Sequence, residues 1–149
     1  MITVLLVDDN DLVRKSLCSL LELTEDIQVV ATASNGADAV DKARSYRPNV
    51  AVMDISMPLM NGIEATEHIR ECCQLTRVIL VTGFDTPEYV HRALEVGAKG
   101  YVLKDAVGDD LPKAIHAIHR GSEYFSERIS QIATGYLAST SKGNNSLAA

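Results

Sequence analysis

A chain of 149 residues has room for one two-layer domain and little more, so a second full domain is not expected. Hydrophobic residues at 46% and charged residues at 23% describe an ordinary water-soluble globular protein. The net charge of −6 argues against nucleic-acid binding by this chain alone, because a phosphate backbone asks for a basic surface.

The chain opens on the apolar run Ile2–Val7, which has no basic flank and meets Asp8-Asp9 at once. It is expected to be a buried strand and neither a signal peptide nor a membrane span, which places the protein in the cytoplasm. Cys18, Cys72 and Cys73 show no CxxC spacing, as suits reduced thiols that bind no metal. Short apolar runs then alternate with helical patterns of about 10 to 12 residues, the signature of βαβ units and a parallel sheet. Strands are expected near residues 2–7, 28–33, 50–53, 77–81 and 99–103.

The first helix carries its core stripe in Val13, Leu17, Leu20 and Leu21, with Asp11, Arg14, Lys15 and Glu22 on the wet side. The second runs from Ala37 to Tyr46 and stops ahead of Pro48, which disfavours helix at Arg47. The third, Ile63 to Cys72, is entered through Asn61-Gly62. Asp85-Thr86-Pro87-Glu88 starts the fourth with a capping side chain, a proline in the first turn and an acid at the positive end of the dipole, and Gly97 ends it. The fifth is expected from Asp109-Asp110, burying Leu111, Ala114, Ile115 and Ile118 and stopping at Gly121. Ser126 is positioned to cap one more helix carrying Ile129, Ile132 and Leu137, and residues 139–149 read as a flexible linker or tail.

The chemistry lies at the strand ends. Val4-Leu5-Leu6-Val7 runs into Asp8-Asp9, the run Val50 to Met53 into Asp54, Val78 to Val81 into Thr82, and Tyr101-Val102-Leu103 into Lys104. In a doubly wound sheet of order 2-1-3-4-5 these ends share one crevice at the topological switch point. Asp8 and Asp9 could also be plain helix caps. Beside Asp54, however, carboxylates ~4 Å apart repel by ~4 kcal/mol per pair at an effective dielectric near 20, a cost that a bound cation relieves. Mg2+ suits such an all-oxygen set, whereas zinc would want the cysteine or histidine these ends lack. Lys104 then supplies the counter-charge and a donor to a phosphoryl oxygen. Tyr101 could be simply a half-buried strand aromatic. His116 and His119 share a solvated helical face.

Taken together, Val7-Asp8-Asp9, Met53-Asp54-Ile55-Ser56-Met57-Pro58, Asn61-Gly62, Val81-Thr82-Gly83 and Gly100-Tyr101-Val102-Leu103-Lys104 resemble the receiver domain of two-component response regulators. The likeness covers about Ile2 to Phe125. Gly62-Ile63-Glu64-Ala65-Thr66, Gly97-Ala98-Lys99-Gly100-Tyr101 and Gly121-Ser122-Glu123-Tyr124-Phe125 resemble the branch whose receivers precede a LuxR-type helix-turn-helix. This implies a flavodoxin-like (βα)5 receiver domain over 1–125, an extra C-terminal helix over 126–138 and a tail over 139–149.

The resemblance also implies phosphoryl transfer from a sensor histidine kinase to Asp54. Asp9, Asp54 and the Ser56 carbonyl would ligate Mg2+, with Asp8 acting mainly through bound water. Lys104, the Thr82 hydroxyl and backbone amides near Ser56 and Gly83 would hold the phosphoryl oxygens, and Thr82 and Tyr101 would form a switch. Phosphorylation and dephosphorylation would be self-catalysed by a signalling domain that is not a conventional enzyme. Ser56 and Phe84 would flank the path of attacking water. A homodimer is compatible with this; DNA is a partner for a longer parent protein only, and a membrane for neither. The chain is then the receiver part of a longer regulator, or a single-domain regulator acting by protein contacts. Two points stand against a simple transfer. Asp105 replaces the proline that often follows the active-site lysine across a cis bond, and Asp9-Asn10-Asp11 also fits the Asp-x-Asp motif of a haloacid-dehalogenase-like phosphatase, with Asp9 as nucleophile and Thr82, Lys104 and Asp109-Asp110 as its later elements.

Overall fold

The parallel sheet is built on the apolar runs. A computed structural model of the chain describes residues 1–83 and 85–135. Its elements are β1 (Ile2–Val7), α1 (Asp11–Glu22), β2 (Ile27–Ala33), α2 (Gly36–Tyr46), β3 (Val50–Met53), α3 (Gly62–Cys72), β4 (Arg77–Thr82), α4 (Pro87–Glu95) and β5 (Gly100–Leu103). A 3-10 turn, Lys104–Ala106, leads into α5 (Val107–His119) and β6 (Tyr124–Phe125), and residues 127–135 form a helix, α6. The strand order is 2-1-3-4-5-6, all pairs parallel.

Alternation along the strands splits the core in two. Val4, Leu6, Val50, Val52, Ile79, Val81 and Val102 face α1 and α5. Leu5, Val7, Ala51, Met53, Val78, Leu80, Tyr101 and Leu103 face α2, α3, α4 and α6. Because both faces are covered, β3 is a continuous apolar run and β1, β4 and β5 are nearly so, whereas the edge strand β2 admits Gln28 and Thr32. Asn10, Asn35 and Asn61 cap α1, α2 and α3, each side-chain oxygen accepting an N–H three residues on. Arg47 closes α2 in the left-handed region. Gly97, at φ +88, turns the chain out of α4 while its own N–H and that of Ala98 bond back to the last turn.

Several local expectations are corrected. Asp85 does not cap α4: Thr86 stands at the cap position without a side-chain bond, and the Asp85 carboxylate accepts from Arg128 instead. Helix α5 starts two residues before Asp109 because the 3-10 turn feeds straight into it. Ser126 does not cap α6 with its hydroxyl, which accepts the Leu103 N–H at 3.1 Å and donates to Asp110 at 3.0 Å. Arg14 is not on the wet side but 18% exposed. Strand β6 extends the expected five-strand order. Every peptide bond among the described residues is trans, Lys104-Asp105 included. Helix α6 buries Ile129 completely, which contributes about 2 kcal/mol. Phe84, the end of the expected extra helix with Leu137, and the expected tail over 139–149 lie outside the described residues.

Candidate functional site

Register places the acids. Val7 pairs with Met53 across β1 and β3, and Met53 with Leu80 across β3 and β4, so Asp8 and Asp54 leave the sheet side by side. Thr82 pairs with Leu103 across β4 and β5, which sets Lys104 one residue beyond. Backbone bonds hold the two acid turns: Asp8 N–H donates to Ala33 at 3.2 Å and Asp54 N–H to Val7 at 3.2 Å. Asn10 N–H donates to Asp8 Oδ1 at 2.9 Å. The cap of α1 is Asn10, so Asp8 and Asp9 are not spent on capping.

One carboxylate oxygen from each of Asp8, Asp9 and Asp54 lies within 4.8 Å of the others. Asp8 and Asp54 are buried and Asp9 is exposed. Lys104 Nζ sits 2.9 Å from Asp54 Oδ2 and 3.4 Å from Asp8 Oδ2. Burial pushes the Asp8 carboxyl above its ordinary range, although the Asn10 amide and Lys104 pull the other way. Burial also weakens the charge on Lys104, but its hydrogen bond to Asp54 and the attraction of both acids outweigh this and hold the ammonium above its usual range. Three carboxylates thus converge where one ammonium reaches two of them, which leaves a site suited to a further positive charge. An all-oxygen donor set with one exposed member suits a hard, partly hydrated cation such as Mg2+.

Thr82 and Ser56 stand beside the acids, and Tyr101 lies two residues back from Leu103 along β5. Thr82 is fully buried at the end of β4. Tyr101 is buried outright, at 1% exposure, and burial together with Asp85, Tyr89 and Asp54 keeps its phenol neutral well above the usual tyrosine range. Ser56 is exposed in a cleft that also takes in Asp9, Pro58, Asn61 and Tyr89. On the solvated face of α5, His116 is 31% exposed and its Nε2 contacts both Asp26 oxygens at 2.9 Å. Asp110 binds Tyr124 and Ser126, so it does not serve the crevice as the phosphatase motif would require.

Sequence reasoning missed Arg14, whose guanidinium donates to the Asp8 carbonyl at 2.7 Å and to the Asp11 carboxylate. The i,i+3 spacing to Asp11 was the available signal. Nothing in the sequence marks the carbonyl contact. Tyr89, which lines the cleft from α4, was missed as well.

Residues 4–116 match the response regulator receiver domain family, and the chain belongs to that family. It is 42% identical over 121 residues to the transcriptional regulatory protein LnrK of Bacillus subtilis (strain 168), covering 81% of this chain and 55% of LnrK. The chain thus spans about half the length of that relative. A LuxR-family two-component response regulator from Aurantimonas sp. SI85-9A1 superposes with a TM-score of 0.85 at 35% identity, over 91% of this chain and 97% of that one. The isolated receiver domain of RcsB from Salmonella enterica serovar Typhimurium, solved with the phosphomimetic BeF3-, gives 0.81 at 25% identity, over 88% and 97%. The chain is accordingly a signalling domain of the LuxR/NarL type, and no described helix is long and apolar enough to cross a membrane.

Proposed function

We propose that this chain works in the cytoplasm, where Asp54 accepts a phosphoryl group from the phosphohistidine of a sensor histidine kinase. An Asp54 oxygen attacks phosphorus in line as the P–N bond breaks, the electron pair leaves with the imidazole nitrogen, and an acyl phosphate remains on Asp54. Asp9, Asp54 and the Ser56 carbonyl would hold Mg2+, with Asp8 reaching it through water. The ion, when bound, neutralises charge on the phosphoryl oxygens and on the acids around them. Lys104 turns from the Asp54 carboxylate to a phosphoryl oxygen, and the Thr82 hydroxyl donates to another. A loose phosphoryl transition state needs such positioning more than it needs a base, so the domain catalyses its own labelling and hydrolysis without an added enzyme.

The observation that carries this reading is the convergence of Asp8, Asp9 and Asp54 with Lys104 at 2.9 Å from Asp54. Mass spectrometry after acetyl phosphate and Mg2+ tests it. Stable acid-labile phosphate on Asp54 supports the reading, while modification or turnover through Asp9 overturns it.

Residues 1–125 act as the receiver in this reading, and the chain that follows leads toward an output. The half-length match to a transcriptional regulatory protein supports control of transcription through a separate DNA-binding domain, with DNA a partner of the longer protein and not of this acidic chain.

A further inference from the structure

Cys72 and Cys73 stand side by side at the end of α3 with their sulfurs 2.9 Å apart. Helix α3 starts against Asp54 and ends at this pair, so about 15 Å of helix separates it from the crevice. Cys73 is buried at 3% exposure and Cys72 is half-buried. The backbone beneath them is held from both sides: Cys73 N–H donates to the Ile69 carbonyl at 2.7 Å, and the Cys73 carbonyl accepts the Thr76 N–H at 3.0 Å. Thr76 Oγ1 donates in turn to the Pro48 carbonyl at 2.7 Å. Both cysteines border an open groove of about 400 Å³ that is also lined by Arg47, Pro48, Glu71 and Leu75.

The geometry narrows what the pair can take. Consecutive Cα atoms stand ~3.8 Å apart, short of the ~4.4–6.8 Å that a disulfide spans, so oxidation to a disulfide is disfavoured. A single bridging atom lifts that restriction. Zinc asks for four ligands, and among the described residues no histidine, carboxylate or further cysteine joins the pair as a third donor. A linear two-coordinate ion would set its sulfurs about 4.6 Å apart, twice a ~2.3 Å metal–thiolate bond, which is wider than this bite. Burial, with the neighbouring Cys72, pushes the Cys73 thiol up to about 11. That opposes any cation whose binding must first drive off both thiol protons.

We propose that Cys72 and Cys73 form a chelating site for trivalent arsenic, taken up as a monosubstituted arsonous acid, R–As(OH)2. Trivalent arsenic is pyramidal, so it holds two sulfurs close together on one side, and two thiols complete its coordination. Each thiol proton leaves with an arsenic-bound hydroxyl as water. Two As–S bonds form as two As–O and two S–H bonds break, arsenic stays trivalent and no charge is created, so a protonated Cys73 is no obstacle. The substituent R has room in the groove against Pro48 and Leu75, of which Leu75 is 92% exposed. The missing CxxC spacing, which speaks against zinc, leaves this site open.

Phenylarsine oxide, which hydrates to such an acid, is the probe. It is added to the reduced full chain, and retention is followed by native mass spectrometry in excess glutathione, a monothiol that displaces arsenic from single cysteines. One arsenical per chain is expected to survive in the parent and in Cys18→Ser, whose altered residue packs on the α1 side of the sheet. Cys72→Ser and Cys73→Ala should each bind at least about a hundredfold more weakly, because the second As–S bond is no longer made within one molecule. Cys72→Ser, at the less buried position, carries the test if Cys73→Ala disturbs the core. Neighbouring thiols are also close in the unfolded chain, so the melting temperature shows which state binds: the arsenical is expected to raise it. Failure of the parent to retain the arsenical, retention by Cys72→Ser as tight as the parent's, loss of retention in Cys18→Ser, or an unchanged or lowered melting temperature would each overturn the site.

Discussion

Gly62 is seated on the backbone of Asp54: a Cβ at position 62 would stand 2.1 Å from the Asp54 carbonyl oxygen. The Gly62 N–H donates to the Ile55 carbonyl at 2.8 Å, so the first turn of α3 fixes the peptide that carries the proposed phosphoacceptor. The obstacle is main chain, which cannot swing aside as a side chain would. Gly62→Ala is therefore expected to lose about 1–3 kcal/mol of stability and to shift Asp54 away from Lys104. Urea unfolding reports the first effect and the rate of labelling by acetyl phosphate the second. A variant with native stability and native labelling would show that the close approach constrains neither.

Asp54→Asn should abolish acid-labile phosphate while leaving the circular dichroism spectrum unchanged, because an amide of the same shape fills the buried position. Removing one of the clustered charges should leave the metal-free protein at least as stable as the parent, by up to ~1 kcal/mol. Undiminished labelling of this variant would refute the assignment.

The pH dependence follows from Asp8, whose carboxyl is held above the ordinary aspartate value of 3.8 chiefly by burial. A group that binds its proton more tightly when folded contributes stability that is fully present below the unfolded pKa. That stability is lost as pH rises through the folded value. At pH 7 the ionised Asp8 is thus a net cost, and Asp8→Asn should melt higher than the parent in the absence of metal, with the gap closing as the pH falls toward 3.8. Added Mg2+ should narrow the gap from the other side by stabilising the parent. An equal difference in melting temperature at every pH would remove Asp8 from this account.

The lifetime of the phosphoryl group is expected to depend on Ser56 and Phe84, two residues after Asp54 and Thr82 respectively. Ser56 is short and exposed, and a phenylalanine offers no hydrogen bond to orient an attacking water. Self-dephosphorylation should accordingly be slow, and Ser56→Asn with Phe84→Glu should speed it roughly tenfold, about 1.4 kcal/mol in the barrier. Phosphate release from purified, kinase-free protein is the measurement, and equal decay in the parent and the double variant would exclude both residues.

The five main strands were legible because each is a short, mainly apolar run between turn residues, although β2 carries Gln28 and Thr32, and the strand-end acids followed once the parallel order was inferred. Asp8, Asp54, Thr82 and Lys104 needed only that reasoning. Strand β6 did not show itself, since Tyr124–Phe125 is too short to display any period; it exists because Tyr124 N–H and Ser126 N–H find the Lys99 and Tyr101 carbonyls. The start of α5 was misplaced because Asp109-Asp110 resembles a cap, while the preceding 3-10 turn carries no sequence signal of its own. Arg14 looked wet because helical periodicity describes faces, whereas its long side chain reaches beyond its own helix to the Asp8 carbonyl.

Strand β6 also has a consequence for how the molecule keeps to itself in solution. Without it, β5 would present a row of unpaired amides and carbonyls at the end of the sheet, the template on which one sheet recruits another. Two residues of β6 occupy that template and are themselves too short to extend it. A chain cut after Gly121 would lose the β6 pairing of Gly100 and Tyr101 and is expected to be prone to strand-by-strand association at β5.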